Sequence, residues 1–200
     1  MSVKDSNTEN LIKNTAMRIF FAEGRFQATT QEIADAAGVN RTLVHYYFRS
    51  RDLLFKQVLE EGRTEFHKKM DELVRPEQSF REKINHLIDI WMEHGKQYSF
   101  LDTYLVSQLN NPDALEELIE GHTSPNNKLL NFYDDIEKEM QLGNIVRMAP
   151  VHFLVNLVAM VAYPTIMKPL LMRALEVSTA DFEKLMAERK EAILKTLFLK

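Results

Sequence analysis

The stretch TTQEIADAAGVNRTLVHYYFRSRDLL, Thr29 to Leu54, packs start and stop signals for three helices into one short run. Thr29 is followed three residues later by Glu32, the spacing of a capping box. In that arrangement the threonine hydroxyl accepts from the Glu32 amide and the glutamate side chain reaches back. The helix so begun can run only to Ala37, because Gly38 favours the left-handed turn that closes a helix. Asn40 suits the cap of a second helix containing Arg41 to Tyr47, and Ser50 the cap of a longer one beginning at Arg51 or Asp52. Two helices of about two turns each, joined by a glycine-containing turn, make a helix-turn-helix unit. Ile33, Ala34, Ala37, Val39 and Val44 are its inward set, with Ala34 small enough for the helices to cross closely.

Outward from this stretch, helical periodicity dominates. Leu11, Ile12, Ala16, Ile19 and Phe20 form one apolar stripe on a preceding helix that Gly24 ends. Leu53, Leu54, Val58, Phe66, Met70, Leu73 and Val74 mark a long helix closed by Pro76. Phe80, Ile84, Leu87, Ile88 and Trp91 mark another, with Gly95 as its end or a kink. After a turn at Asn110–Pro112 come the short acidic DALEELIE (113–120) and a turn at Gly121–Pro125. Leu129 to Leu142 reads as a helix ending at Gly143. Ala149-Pro150 opens the most apolar run, Val151–Tyr163, which Pro164 is expected to stop. Ser178–Phe182 has the S-x-x-D form of a helix start, followed by Leu185, Met186, Ile193, Leu194 and Leu197 at helical spacing. No stretch alternates at period two and no repeat is visible, so the expectation is an all-α chain of about nine or ten helices.

Composition bounds the function classes. The 200 residues, 45% hydrophobic and 27% charged, can bury a sizeable core. Absence of cysteine removes disulfides and thiolate metal sites and suits a cytoplasmic protein. The polar start MSVKDSNTEN has no signal-peptide core, and residues 1–8 are expected to be disordered. Val151–Tyr163 is shorter than the ~20 residues a bilayer requires, so no membrane partner is expected. Net charge is −4 overall, but Met1–Arg51 holds seven Lys/Arg against five Asp/Glu. That permits a basic N-terminal face without demanding one. No metal or cofactor site is expected, and no enzyme. The Glu-x-x-His pairs of di-iron bundles, H-E-x-x-H, G-x-S-x-G and phosphate-binding glycine loops are all missing.

Thr29–Leu54 resembles the DNA-binding signature of the TetR family of bacterial transcriptional repressors. The shared features are the Thr-Thr start, I-A-x-x-A-G-V, a short second helix ending in aromatics and Phe, and a leucine pair. The resemblance implies an N-terminal three-helix helix-turn-helix DNA-binding domain, 1–51, and a C-terminal helical ligand-binding and dimerisation domain, 52–200. By position it puts Thr30 and Gln31 near the DNA backbone and groove edge, and Arg41 and Thr42 where bases are read. His45, Tyr46, Tyr47 and Arg51 fall where phosphate contacts are usual. Three positions depart from the pattern. Leu43 replaces a hydroxyl residue, His45 replaces the commoner Tyr, and Arg51 replaces Lys, keeping the charge and adding a fork suited to phosphate.

Tyr46 and Tyr47 diverge by about 100° around a helix, so both cannot face one core; how they divide packing and phosphate contact stays open. Arg25 and Arg49 are left unassigned. The resemblance also implies a small-molecule pocket, for which Trp91, Tyr104, Phe132 and Tyr163 are the candidates as large flat groups on the central helices. It further implies a homodimer built on Pro150–Ile166 and Thr179–Leu199, with Glu188 and Arg189 at the polar rim, bound to a palindromic operator. The reading is a repressor released from DNA by an unidentified small-molecule effector, through tilting of the long helix after Asp52. A rival is a helical ligand-binding or protein-interaction module that has lost DNA binding.

Overall fold

The computed structural model describes residues 3–72, 78–113, 116 and 128–199. Among these the chain is all-α, with one isolated antiparallel bridge between Ile145 and Phe198. The helices are α1 (Val3–Met17), α2 (Thr30–Ala37), α3 (Arg41–Phe48), α4 (Arg51–Glu72), α5 (Phe80–Gln97) and α6 (Leu101–Gln108), then α7 (Lys128–Gln141), α8 (Pro150–Ile166), α9 (Lys168–Ala174) and α10 (Thr179–Leu197). The expected ends at Val74 and Pro76, most of the acidic segment 113–120, and the turn at Gly121–Pro125 lie outside the described residues. The chain divides into two compact units. One comprises Met1–Asp71 with His94–Tyr104; the other comprises Glu72–Glu93 with Leu105–Lys200.

The first unit is built on aromatic packing. α1 passes at Arg18–Ala22 into one turn of π-helix, with the Glu23 amide bonding to the Arg18 carbonyl at 2.9 Å. This segment buries Ile19, Phe20 and Phe21 in succession, more than one face of a regular helix can hide. It can do so because rings enclose it. Phe55 lies 4.8 Å from Phe20 and 5.4 Å from Phe21 between centroids, while Tyr104 lies 6.2 Å from Phe21 and 5.0 Å from Phe55. Each buried Phe contributes about 2–3 kcal/mol of hydrophobic stabilisation.

Gly24 follows at φ +71, and a Cβ there would sit 2.9 Å from the Phe100 ring, so the site excludes any other residue twice over. A Cβ on Gly62 would meet Met17 at 3.2 Å and Leu101 at 3.4 Å, which marks a close helix crossing. Lys13 pairs with Glu61 at 2.7 Å and ties α1 to α4.

Three expectations for this unit change. Helix α1 begins at Val3, so residues 3–8, expected to be disordered, are helical. Leu11, placed on the buried stripe, is exposed, because Ile12, Thr15, Ala16 and Ile19 already fill the inward arc. Gly95 does not end a helix; it is buried inside α5, which continues to Gln97.

Behind the same aromatics lies a buried ionisable pair. His94 Nε2 stands 4.0 Å from Asp102 Oδ1, too far for a hydrogen bond, and Asp102 Oδ2 has no hydrogen-bond partner among the described residues. The Phe66 ring is 4.7 Å from the imidazole. Burial lowers the His94 pKa to about 4, with Lys69 pushing the same way and Glu65 opposing. Burial also raises the Asp102 carboxyl above its ordinary value. Both shifts run toward the neutral form, the direction burial imposes on an ionisable group.

The second unit has a core made by Phe80, Ile84 and Ile88 of α5, Ile136 and Met140 of α7, Phe153, Leu157 and Val161 of α8, and Ile193 and Leu197 of α10. Ion pairs Lys83–Asp135 and Lys190–Asp89, both 2.7 Å, hold α7 and α10 to α5. Helix α8 runs through Pro164 to Ile166 instead of stopping at the proline, and α9 follows at a bend of 77°. No single described helix is long and apolar enough to cross a membrane, although the bent pair α8 and α9 is by length and composition.

Candidate nucleic-acid interface

The helix-turn-helix is assembled by its own polar side chains. The Glu32 amide donates to Thr29 Oγ1 at 3.2 Å, and the Thr29 amide donates to Glu32 Oε2 at 2.8 Å, completing the capping box. The bonds donated by the Thr29 amide and hydroxyl, then the nearby Arg25 charge, hold the Glu32 carboxyl below its usual range. Gly38 takes φ +66, with the Val39 amide returning to the Ala34 carbonyl at 3.0 Å. Asn40 Oδ1 accepts from the Thr42 amide at 2.8 Å and starts α3. Ser50 Oγ accepts from the Leu53 amide at 3.1 Å and starts α4.

These caps fix how α3 is turned. Val44 and Phe48 are buried, and successive residues step about 100° around the axis. The line opposite the core therefore runs through Thr42 and Tyr46, flanked on one side by Arg41 and His45 and on the other by Leu43 and Tyr47. Burial follows this wheel: Arg41, Thr42, Leu43, His45 and Tyr46 are exposed and Tyr47 is half-buried. Tyr46, 61% exposed, stands edge-on to Tyr47 with centroids 5.1 Å apart, and Tyr47 lies 6.2 Å from Phe48. The division of the tyrosines is thus decided: Tyr47 braces against the core ring and Tyr46 projects. From Val39 to Arg51 the chain has no carboxylate and three arginines, so this surface is locally basic in an acidic protein.

The other sequence-expected residues scatter around this face. Thr30 is half-buried at the start of α2, and Gln31 is exposed with its Nε2 donating to Asp35 at 2.7 Å. Arg51 is placed differently from a free phosphate ligand. Its side chain is only 28% exposed, and its guanidinium lies 5.2 Å from the Phe20 ring and 4.9 Å from the Phe55 ring. It pairs with Asp52 at 3.0 Å, and its Nε donates to the Ala28 carbonyl at 3.4 Å. Arg25 pairs with Glu32 and Glu23. Arg49, unassigned from sequence, is exposed in the turn after α3 at φ +63. Leu43, 38% exposed, was read only as a missing hydroxyl; its place on the wheel, outside the Val44–Phe48 arc, was the available signal for an outward role.

The four pocket candidates occupy different settings. Tyr104 belongs to the first unit's ring cluster, where burial raises its hydroxyl pKa. Trp91 and Phe132 pack against the second unit's core, Phe132 with its ring 5.5 Å from that of Phe80. Tyr163 is exposed on α8. Arg189, expected at a dimer rim, donates from Nε to the Met160 carbonyl at 3.1 Å within its own chain. Among the described residues no group of three or more His, Asp or Glu is placed to hold a metal ion.

Residues 12–58 match the family model described as bacterial regulatory proteins, tetR family. The HTH-type transcriptional repressor NicS of Pseudomonas putida is 30% identical over 103 residues, covering 50% of this chain and 48% of that protein. The chain thus spans about half the length of this curated relative. Among solved structures, the ketosteroid transcriptional regulator KstR2 of Mycobacterium tuberculosis has a TM-score of 0.65 at 10% identity, covering 100% of this chain and 97% of that one. A tetR-family regulatory protein from Rhodococcus RHA1 has a TM-score of 0.64 at 14% identity, covering 98% of each chain. At such identities the structural likeness speaks for the fold alone. Residues 12–58 thus carry a helix-turn-helix segment of the tetR-family type, and the helical fold is like that of solved tetR-family regulators.

Proposed function

We propose that this chain is a cytoplasmic, dimeric transcriptional repressor that leaves a palindromic operator when a small molecule binds. The observation that carries the reading is the outward face of α3, where Arg41, Thr42, His45 and Tyr46 stand exposed in a stretch, 39–51, that has no carboxylate, beside a fully capped turn. In a helix-turn-helix this second helix enters the major groove by its N-terminal residues. Arg41 and Thr42 read bases there. His45 and Tyr46 hold phosphates, Thr30 and Gln31 meet the backbone at the groove edge, and Tyr47 supports Tyr46. Arg51 acts as a positioning residue, fastening the start of α4 to the Phe20 and Phe55 rings.

Residues 1–51 form the DNA-binding domain in this reading, and 52–200 serve effector binding and dimerisation. Helix α8 supplies the dimer surface. Besides its buried row of Phe153, Leu157 and Val161, it exposes a second apolar row of Val151, Val155 and Val158. A row of this kind at helical spacing suits the same row on a second copy. Trp91 and Phe132 are the aromatic groups offered to an effector. The effector must bind the DNA-incompetent conformation better, since equal affinity for both shifts nothing. The name of the Pseudomonas relative, a repressor, favours repression over activation.

The test is selection of bound sequences from random duplex DNA, followed by titration at several salt concentrations. The expected result is a palindrome with half-sites about 34–36 Å apart, or a multiple of that, and affinity that falls steeply with salt. Arg41→Ala should relax preference at one base pair by about 1–3 kcal/mol. No enrichment, or binding indifferent to salt, would overturn the reading in favour of a module without DNA binding.

A further inference from the structure

We propose that Leu43 is a specificity residue that reads the 5-methyl group of a thymine in each half-site. The proposal rests on the DNA-binding reading above and adds a base identity to it. Leu43 lies in the first turn of α3, between Thr42 and the buried Val44, and is 38% exposed. Its amide already closes the turn by donating to the Asn40 carbonyl at 2.9 Å, so the backbone here is set independently of the side chain. Helical side chains lean toward the helix N-terminus. The isobutyl group is therefore carried toward the end of α3 that enters the groove, on the flank of the Thr42–Tyr46 line.

A single exposed leucine on an ordinary surface calls for no explanation. At this place it has one favourable partner. The thymine methyl is the apolar feature among the donors and acceptors that base pairs display in the major groove. Against guanine O6 and N7, or the cytosine amino group, the same side chain would strip water from a polar group and return no hydrogen bond. Leu43 thus selects for thymine and against a G·C pair by two effects of one sign. This complements Arg41, whose fork suits guanine.

The experiment uses duplex oligonucleotides carrying the half-sites that the full chain selects. Each thymine is replaced in turn by deoxyuridine, which removes the methyl and leaves the hydrogen-bonding edge intact. For the unaltered chain, one position per half-site should lose about fourfold in affinity, the worth of one buried methyl. Leu43→Met should retain that sensitivity, and Leu43→Ala should lose it while keeping its helical circular dichroism and salt dependence. A selected site with no methyl-sensitive position would overturn the proposal. So would a fourfold loss that persists in Leu43→Ala, which would pass the contact to another group such as the Thr42 methyl. Either result leaves DNA binding standing; absence of any duplex binding by the unaltered chain would remove both readings.

Discussion

The helix-turn-helix and helix α8 spend their apolar residues in opposite ways. In Thr29–Phe48 the inward positions Ile33, Ala34, Val44 and Phe48 are buried, and what faces out is mainly polar or aromatic. Helix α8 buries Phe153, Leu157, Val161 and Pro164 on one side and leaves Val151, Val155 and Val158 in water on another. The first region is closed by its own caps, so its outer face is free to carry recognition chemistry. The second is apolar on two sides, and its own core covers only one. The difference lies in what each region offers: hydrogen-bonding and charged groups in one case, an apolar helix row in the other.

The contrast is broken most directly at Val155, 57% exposed in the outer row. In the proposed dimer, Val155→Glu should place two unpaired carboxylates at the two-fold interface and weaken dimerisation by about 4 kcal/mol, close to a thousandfold. Sedimentation should find monomer with helical content unchanged. A dimer of undiminished stability would assign the row to some other contact.

Within the first unit the two turn glycines offer a second test. Gly24→Ala adds a Cβ 2.9 Å from the Phe100 ring at φ +71. Together, backbone and overpacking should cost about 3 kcal/mol. Gly38, at φ +66, has no atom within 4 Å of an added Cβ, so Gly38→Ala should cost only the backbone share, about 1 kcal/mol. Equal losses in thermal or urea unfolding would contradict the packing at Gly24.

A further test in the first unit concerns acid. His94 has a folded pKa of about 4 against an ordinary 6.5. The unfolded chain therefore binds a proton first as pH falls. The stability owed to neutral His94 is complete above about 6.5 and is lost down to about 4, by roughly 2–3 kcal/mol. The raised Asp102 carboxyl acts in the opposite sense, its cost easing as pH falls. Comparison with His94→Gln, which leaves Asp102 in place, isolates the histidine contribution. The unaltered protein should lose 2–3 kcal/mol more than the variant over that range, and parallel pH profiles would rule the buried neutral imidazole out.

Much of the helix-turn-helix was legible because its determinants act within four residues. Thr29 with Glu32, Gly38, Asn40 and Ser50 each set a helix boundary through a local hydrogen bond or a single backbone angle, and the structure places every one as expected. The capping box of Ser178 with Asp181 was equally plain. Positions that depend on distant packing were not. Nothing near Arg51 in sequence says that its guanidinium will lie against the rings of both Phe20 and Phe55, 31 and 4 residues away. Nothing near Gly95 or Pro164 says that α5 and α8 will each continue two residues past them.

The sequence by itself therefore determined the helical class, the turn and caps of the helix-turn-helix, and the likeness of that segment to the tetR family. Tertiary structure decided which of two adjacent tyrosines projects, which arginines are left exposed, and where α8 keeps an apolar row in water. The reason is physical. Caps and turns are settled by bonds between neighbours in the chain, whereas exposure is settled by whichever remote side chains fill the space around a residue.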